Sequence, residues 1–207
     1  PFAEALDKVL ELVDALAGEG ITLHHVDMGG GVGIRYRDET PPALSAYAHT
    51  LLRGMAGRTQ SLILEPGRSL VGNAGALLTR IEYIKHGESK DFAIVDAAMN
   101  DLMRPALYEA WHGIEAVRPR SGLARRYEVV GPVCESGDFI GHDRTLSIQE
   151  GDLLAIMSAG AYGMSMSSNY NARPRAVEVL VDGARHVRIR ARESLVQLYA
   201  NECLGEE

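Results

Sequence analysis

The sequence predicts an α/β unit followed by a β-rich unit, and two observations carry that reading. The first third alternates amphipathic helix with short strand, the pattern of parallel strands covered by helices. Beyond about residue 73 that pattern gives way to short apolar runs punctuated by Gly, Asp and Pro, which is the pattern of an all-β fold. The domains are therefore expected at 1–72 and 73–207.

Leu6, Val9, Leu10, Val13 and Leu16 recur at helical spacing, so residues 4–17 predict an amphipathic helix closed by Gly18 and Gly20. Residues 22–27 predict a strand running into a glycine-rich turn. A second helix is expected from Thr40 as N-cap with Pro41 in its first turn, its apolar stripe being Leu44, Tyr47, Leu51, Leu52 and Met55. Residues 61–64 predict another strand. In the second unit, strands are expected over 76–85, 91–96, 116–119, 126–130, 152–156 and 176–181, with a closing helix over 193–204.

The chain has 207 residues, 46% hydrophobic and 24% charged, with a net charge of −7. That charge lacks the basic footprint of a nucleic-acid-binding surface. No apolar run reaches the length of a membrane span, and the start has neither the basic end nor the apolar core of a signal peptide. The chain opens at Pro1, inside a helical pattern and without methionine, so a piece of a longer protein is expected. Cys134 and Cys203 make neither a disulfide framework nor a metal-ligand pattern, and a reduced, cytoplasmic setting is the default. His24 and His25 precede the glycine turn, where at most one can face a site. His49, His86, His112, His142 and His186 show no metal spacing and read as surface or core residues.

Five motifs carry chemistry. In Asp27-Met28-Gly29-Gly30-Gly31-Val32-Gly33, successive glycines after a strand let the backbone point N–H groups at an anion such as a phosphate; a tight strand-to-helix turn is the alternative. The spacing departs from the dinucleotide fingerprint at Ile34, and no P-loop lysine follows. Glu65-Pro66-Gly67-Arg68 also ends a strand, where an arginine fork can take a phosphate or carboxylate and a glutamate can hold a ring-nitrogen proton; a surface ion pair is the alternative. Arg104 and Tyr108, four apart, would share a helical face and clamp a carboxylate, or else be an exposed arginine beside a packed tyrosine. Cys134 lies beside Glu135 and close to Asp138, which disfavour the thiolate and suit a proton donor; a small buried hydrophobe is the alternative. Tyr162 is flanked by Gly160 and Gly163 and followed by Ser168-Asn169-Tyr170-Asn171, a composition for lining a polar pocket or for a Ser/Asn-rich loop.

Taken in order over nearly the whole chain, these five motifs resemble the diaminopimelate decarboxylases, pyridoxal-phosphate-dependent lyases of fold type III. The resemblance implies that 1–72 is the C-terminal part of an alanine-racemase-like (β/α)8 barrel, followed by a β-rich barrel or sandwich domain, in a homodimer with its site at the interface. It implies pyridoxal 5'-phosphate as cofactor and decarboxylation of meso-2,6-diaminopimelate to L-lysine as the reaction. Gly29, Gly30 and Gly31 would bind the phosphate, and Glu65 would pair with the pyridinium nitrogen. Gly67 and Arg68 would belong to the phosphate and substrate region. Arg104, Tyr108 and Glu135 would bind substrate, Tyr162 both cofactor and substrate, and Cys134 would donate a proton across the dimer interface. Arg104 with Glu135 suits the far carboxylate and ammonium of diaminopimelate; relatives acting on plain diamine precursors commonly carry Cys-Asp in place of Cys134-Glu135. A decarboxylase of another basic amino acid or of a carboxylated polyamine is the alternative on the same fold. The family's cofactor lysine and the histidine stacked on the ring lie in the N-terminal part of the barrel. The three lysines here, Lys8, Lys85 and Lys90, stand in none of these motifs, so the chain by itself is expected to be inactive.

Overall fold

In the computed structural model, which describes residues 1–203 and 205, the chain forms two units, Pro1–Val71 and Gly72–Glu207. In the first, α1 (Phe2–Gly18) buries Leu6, Leu10 and Val13. Strand β1 (His25–Asp27) pairs in parallel with β2 (Ser61–Ile63), Val26 opposite Leu62. Between them, α2 (Leu44–Gly54) contributes Tyr47 and Leu51 to one buried cluster with α1, Val26, Val32 and Met55. Phe2 meets Tyr47 edge-on at 4.8 Å between ring centroids. A short helix, α3 (Gly67–Val71), follows β2.

The second unit is β-rich. Its strands are β3 (Leu77–His86), β4 (Asp91–Val95), β5 (Ile114–Ala116), β6 (Arg125–Val130), β7 (Phe139–Leu146) and β8 (Leu153–Ile156), with α4 (Arg104–Tyr108) between β4 and β5. They form one six-stranded sheet in the order β5-β8-β3-β4-β6-β7. Its inner face is one apolar cluster including Ile81, Val95, Val129, Ile140, Leu154 and Ile156. The sheet nearly closes on itself: a methyl built at Gly141 of edge strand β7 would lie 2.8 Å from Ile114 Cδ1 of edge strand β5. Bulges interrupt the β3–β4 and β6–β7 ladders and sharpen the curvature. A separate antiparallel hairpin, β9 (Glu178–Asp182) with β10 (Arg185–Arg190), precedes α5 (Leu195–Tyr199).

Direction in the sheet positions the site. Strand β3 is antiparallel to both β4 and β8, and β4 is parallel to β6. Strands β4, β6 and β8 therefore run the same way, and their C-terminal ends open on one edge.

Several expectations shift. Helix α2 starts at Leu44, after both prolines, because Pro41 and Pro42 push the residues before them out of helical geometry; its N-cap is Ala43, not Thr40. Its stripe is Tyr47, Leu51 and Met55, whereas Leu44 and Leu52 are 63% and 65% exposed, Leu52 because it lies one residue, about 100°, round the helix from Leu51. Strand β5 sits at Ile114–Ala116 rather than 116–119, since Pro119 has no N–H to give to a ladder. Two strands escaped the sequence reading. The middle of β7 is Gly141-His142-Asp143-Arg144, with Asp143 at φ +57°, and β10 alternates arginine with Val187 and Ile189 in a hairpin exposed on both faces. The closing helix is shorter than 193–204, and the Leu204 end of that expectation lies outside the described residues. Among the described residues, no helix is long and apolar enough to cross a membrane.

Candidate active site

In the first unit the ends of β1 and β2 travel side by side. Met28 N–H donates to the Ile63 carbonyl at 3.1 Å, and Glu65 N–H to the Gly29 carbonyl at 2.8 Å. The Asp27 carboxylate accepts the Gly29 N–H at 2.8 Å, closing the turn on itself. Gly29 and Gly31 have φ of +62° and +84°, where a side chain is strained. Gly30 is required for a different reason: a Cβ there would collide with the Glu65 carbonyl oxygen. The glycine turn and Glu65 are thus immediate neighbours, and nothing lies within 4 Å of a methyl built at Gly29 or Gly67. Arg68 is half-buried on α3.

In the second unit, Arg104, the Cys134–Glu135 pair and Tyr162 follow β4, β6 and β8, the three co-directional strands. Buried polar groups bind their loops to one another. Asp138, 4% exposed, accepts the Val133 N–H and the Met99 N–H, each at 2.7 Å, joining the loop after β6 to the loop after β4. Gly131 makes room for it, since a methyl there would lie 2.6 Å from Asp138 Oδ1. Asn100, fully buried, donates to the Ser168 carbonyl at 3.2 Å, and its carbonyl oxygen accepts the Ser168 N–H at 3.0 Å, joining the loop after β4 to the loop after β8. Arg173 Nε donates to Asn100 Oδ1 at 2.8 Å. Tyr170 closes the triangle, its hydroxyl donating to Glu135 Oε2 at 3.1 Å. That bond pushes the Tyr170 hydroxyl above its ordinary pKa.

Cys134 and Glu135 are both exposed on their turn, so the buried-hydrophobe alternative for Cys134 falls. Tyr162 is 42% exposed at φ +60°, a backbone conformation that costs a non-glycine residue about 1–3 kcal/mol and is held by the packing around it. Gly75 packs against that loop, a methyl there falling 2.7 Å from Gly160 N. Arg104 and Tyr108 do occupy one helical turn, yet they divide in a way the sequence reading did not foresee: Arg104 is 9% exposed and Tyr108 62%. The arginine goes inward because its NH1 meets His112 Nε2 at 3.1 Å. His112 is fully buried, and its Nδ1 lies 2.9 Å from the Met157 carbonyl oxygen. The sequence reading gave no individual role to Asp138, Tyr170, Asn100 or His112. Asp138 and Tyr170 stood inside the motifs; His112 carried no local signal.

Residues 10–160 match the family described as pyridoxal-dependent decarboxylase, C-terminal sheet domain. The chain is 60% identical over 204 residues to the diaminopimelate decarboxylase of Pseudomonas aeruginosa, covering 99% of this chain and 49% of that protein. It is 62% identical over 202 residues to that of Neisseria meningitidis serogroup A, covering 98% and 50%. It superposes on the crystal structure of diaminopimelate decarboxylase from Helicobacter pylori complexed with L-lysine with a TM-score of 0.90 at 41% identity, covering 97% of this chain and 50% of that one. The chain thus spans about half the length of the curated relatives it matches. With a β-rich sheet unit, ordered site motifs and a family match running from α1 to the loop after β8, the chain belongs to the pyridoxal-dependent decarboxylases and carries their C-terminal sheet domain.

Proposed function

We propose that this chain, within a protein of its relatives' length, takes part in the pyridoxal-phosphate-dependent decarboxylation of meso-2,6-diaminopimelate to L-lysine. The observation that carries this reading is that Arg104, Cys134, Glu135 and Tyr162 all lie in the segments that follow three co-directional strands, and these segments are hydrogen-bonded to one another. Relatives bearing the diaminopimelate decarboxylase name at about 60% identity support it. Residues 1–72 are read as the C-terminal part of an alanine-racemase-like (β/α)8 barrel and 73–207 as the β-rich domain. The parallel β1–β2 pair, with its glycine turn and Glu65 at the C-terminal strand ends, supports the barrel assignment.

The donor set of the first unit fits the cofactor. Gly29, Gly30 and Gly31 offer backbone amides in a turn with open space beside Gly29, Arg68 adds a cation for the phosphate and substrate region, and Glu65 can hold a proton on a ring nitrogen. Bound pyridoxal phosphate supplies the sink for the electron pair left when carbon dioxide departs. Cys134 then delivers its Sγ proton to the carbon that lost the carboxylate. Arg104, buried at the start of α4, reads the far carboxylate, the exposed Tyr108 is a further substrate-binding residue, and Glu135 reads the far ammonium. Tyr170 holds Glu135 in place. Tyr162 lines the site between cofactor and substrate.

The exposure of Cys134 and Glu135 suits a site completed by a second copy of the chain, and the two free thiols suit a reduced cytoplasm. Lys8 lies on α1, and Lys85 and Lys90 flank the β3–β4 turn, so the cofactor lysine is assigned to a part of the protein outside these residues. Carbon dioxide release from the full-length protein tests the reading. Turnover of meso-diaminopimelate is expected. Turnover of ornithine or arginine without it would move the assignment to the runner-up, a decarboxylase of another basic amino acid on the same fold.

A further inference from the structure

We infer that His112 is a positioning residue that sets substrate preference: as a neutral imidazole protonated on Nδ1, it holds the guanidinium of Arg104 in the plane that reads the far carboxylate. The inference rests on the reading of Arg104 as the carboxylate-binding residue and adds what orients it.

The geometry leaves one tautomer. A guanidinium only donates hydrogen bonds and a carbonyl oxygen only accepts them. Arg104 NH1 faces His112 Nε2 at 3.1 Å, so Nε2 must offer a lone pair. The Met157 carbonyl faces Nδ1 at 2.9 Å, so Nδ1 must carry the proton. The backbone enforces this arrangement, because Met157 N–H donates to the Gly113 carbonyl at 2.8 Å and extends the β5–β8 pairing by one step. His112 is thereby locked beside the start of the Tyr162 loop, fully buried, while Arg104 opens α4 eight residues earlier. Arg104 and Arg144, whose charges act on the ring, are cationic, and Arg144 is itself held over the Trp111 ring at 4.5 Å. Burial and these charges favour the neutral ring. An arginine read as a bidentate fork needs its plane fixed as well as its charge present, and a rigid imidazole acceptor provides that.

Two near-isosteric variants separate the ring's two bonds. In His112→Gln, the side-chain oxygen can stand where Nε2 stood and still accept from Arg104. In His112→Asn, the amide can stand where Nδ1 stood and still donate to Met157, but the acceptor for Arg104 is gone. Preference is read in the full-length holoenzyme as the ratio of the inhibition constant of cadaverine, which lacks the far carboxylate, to that of the product L-lysine, which keeps it. Arg104→Ala should lower this ratio by about 100-fold, His112→Asn by about 10-fold, and His112→Gln by no more than about threefold, as one charged hydrogen bond lost or kept implies. Equal ratios in the two His112 variants, with Arg104→Ala still strongly affected, overturn the inference alone. An unaffected Arg104→Ala overturns the reading of Arg104 and the inference with it. Nitrogen-15 NMR of the unsubstituted histidine-labelled holoenzyme gives a readout that needs no variant to fold. The Nδ1–H neutral form of His112 is expected between pH 6 and 8, and an Nε2–H or doubly protonated ring overturns the inference.

Discussion

Cys134 and His112 behave oppositely toward solvent, and each yields a test. Because the Cys134 thiol is exposed, replacing it by alanine removes the proposed proton donor without opening a core cavity. In the full-length enzyme, Cys134→Ala is expected to lower kcat by about 10²–10⁴-fold, the range of one general acid, with the melting temperature nearly unchanged. A loss of melting temperature in step with kcat would show a structural role instead. His112 stores a pH dependence. Burial is the main cause holding its imidazole below the ordinary 6.5, with Arg104 and Arg144 adding to it and the Met157 bond opposing it. The unfolded chain therefore binds a proton that the folded chain refuses. This contribution is fully present above pH 6.5 and is lost as pH falls through that value, until the folded ring also protonates. Denaturant unfolding between pH 8 and 5 should show a shallower decline in His112→Gln than in the unsubstituted protein. Parallel curves would mean that other groups carry the decline.

At the scale of elements, the loops after β4, β6 and β8 act as one block because Asp138, Asn100 and Tyr170 tie each to the next. Asp138→Ala strands the Val133 and Met99 amides and should cost about 1–3 kcal/mol. It should also loosen the turn of Cys134, read as faster alkylation of that thiol by iodoacetamide in the native protein; an unchanged alkylation rate would mean the turn is held by other contacts. The first unit has its own junction, where Gly30→Ala would drive a methyl into the Glu65 carbonyl and part the ends of β1 and β2. Weaker retention of pyridoxal phosphate on dialysis of the full-length protein is the expected result, and retention equal to that of the unsubstituted protein would separate the glycine turn from the phosphate. The motifs on these loops were legible in the sequence because each is local, a few residues whose types suit one chemistry. The ties between loops were not. Asn100 meets Ser168 and Asp138 meets Met99 across long stretches of chain, and no periodicity or spacing encodes such a pairing.

Among the described residues of the whole molecule there are two separate apolar clusters, one built on Leu6 and Leu51, the other on Ile140 and Leu154. Leu51→Ala and Ile140→Ala, both at fully buried positions, should each cost about 2–5 kcal/mol. Hydrogen exchange should then lose protection chiefly in β1 and β2 for Leu51→Ala and in the six-stranded sheet for Ile140→Ala; equal loss throughout would mean the two clusters unfold as one. The change from helix–strand alternation to a run of strands was visible in the sequence, because amphipathic period depends only on neighbouring residues. So were the residue types of the candidate site: the glycines before Glu65, the Cys134–Glu135 pair and the tyrosine between glycines. Only the tertiary structure decided that Arg104 turns inward to His112 while Tyr108 turns out, that β7 exists despite its polar centre, and that three loops share one edge. Those outcomes depend on which strands run parallel and which buried polar groups find partners, and both are set by contacts between residues far apart in the chain.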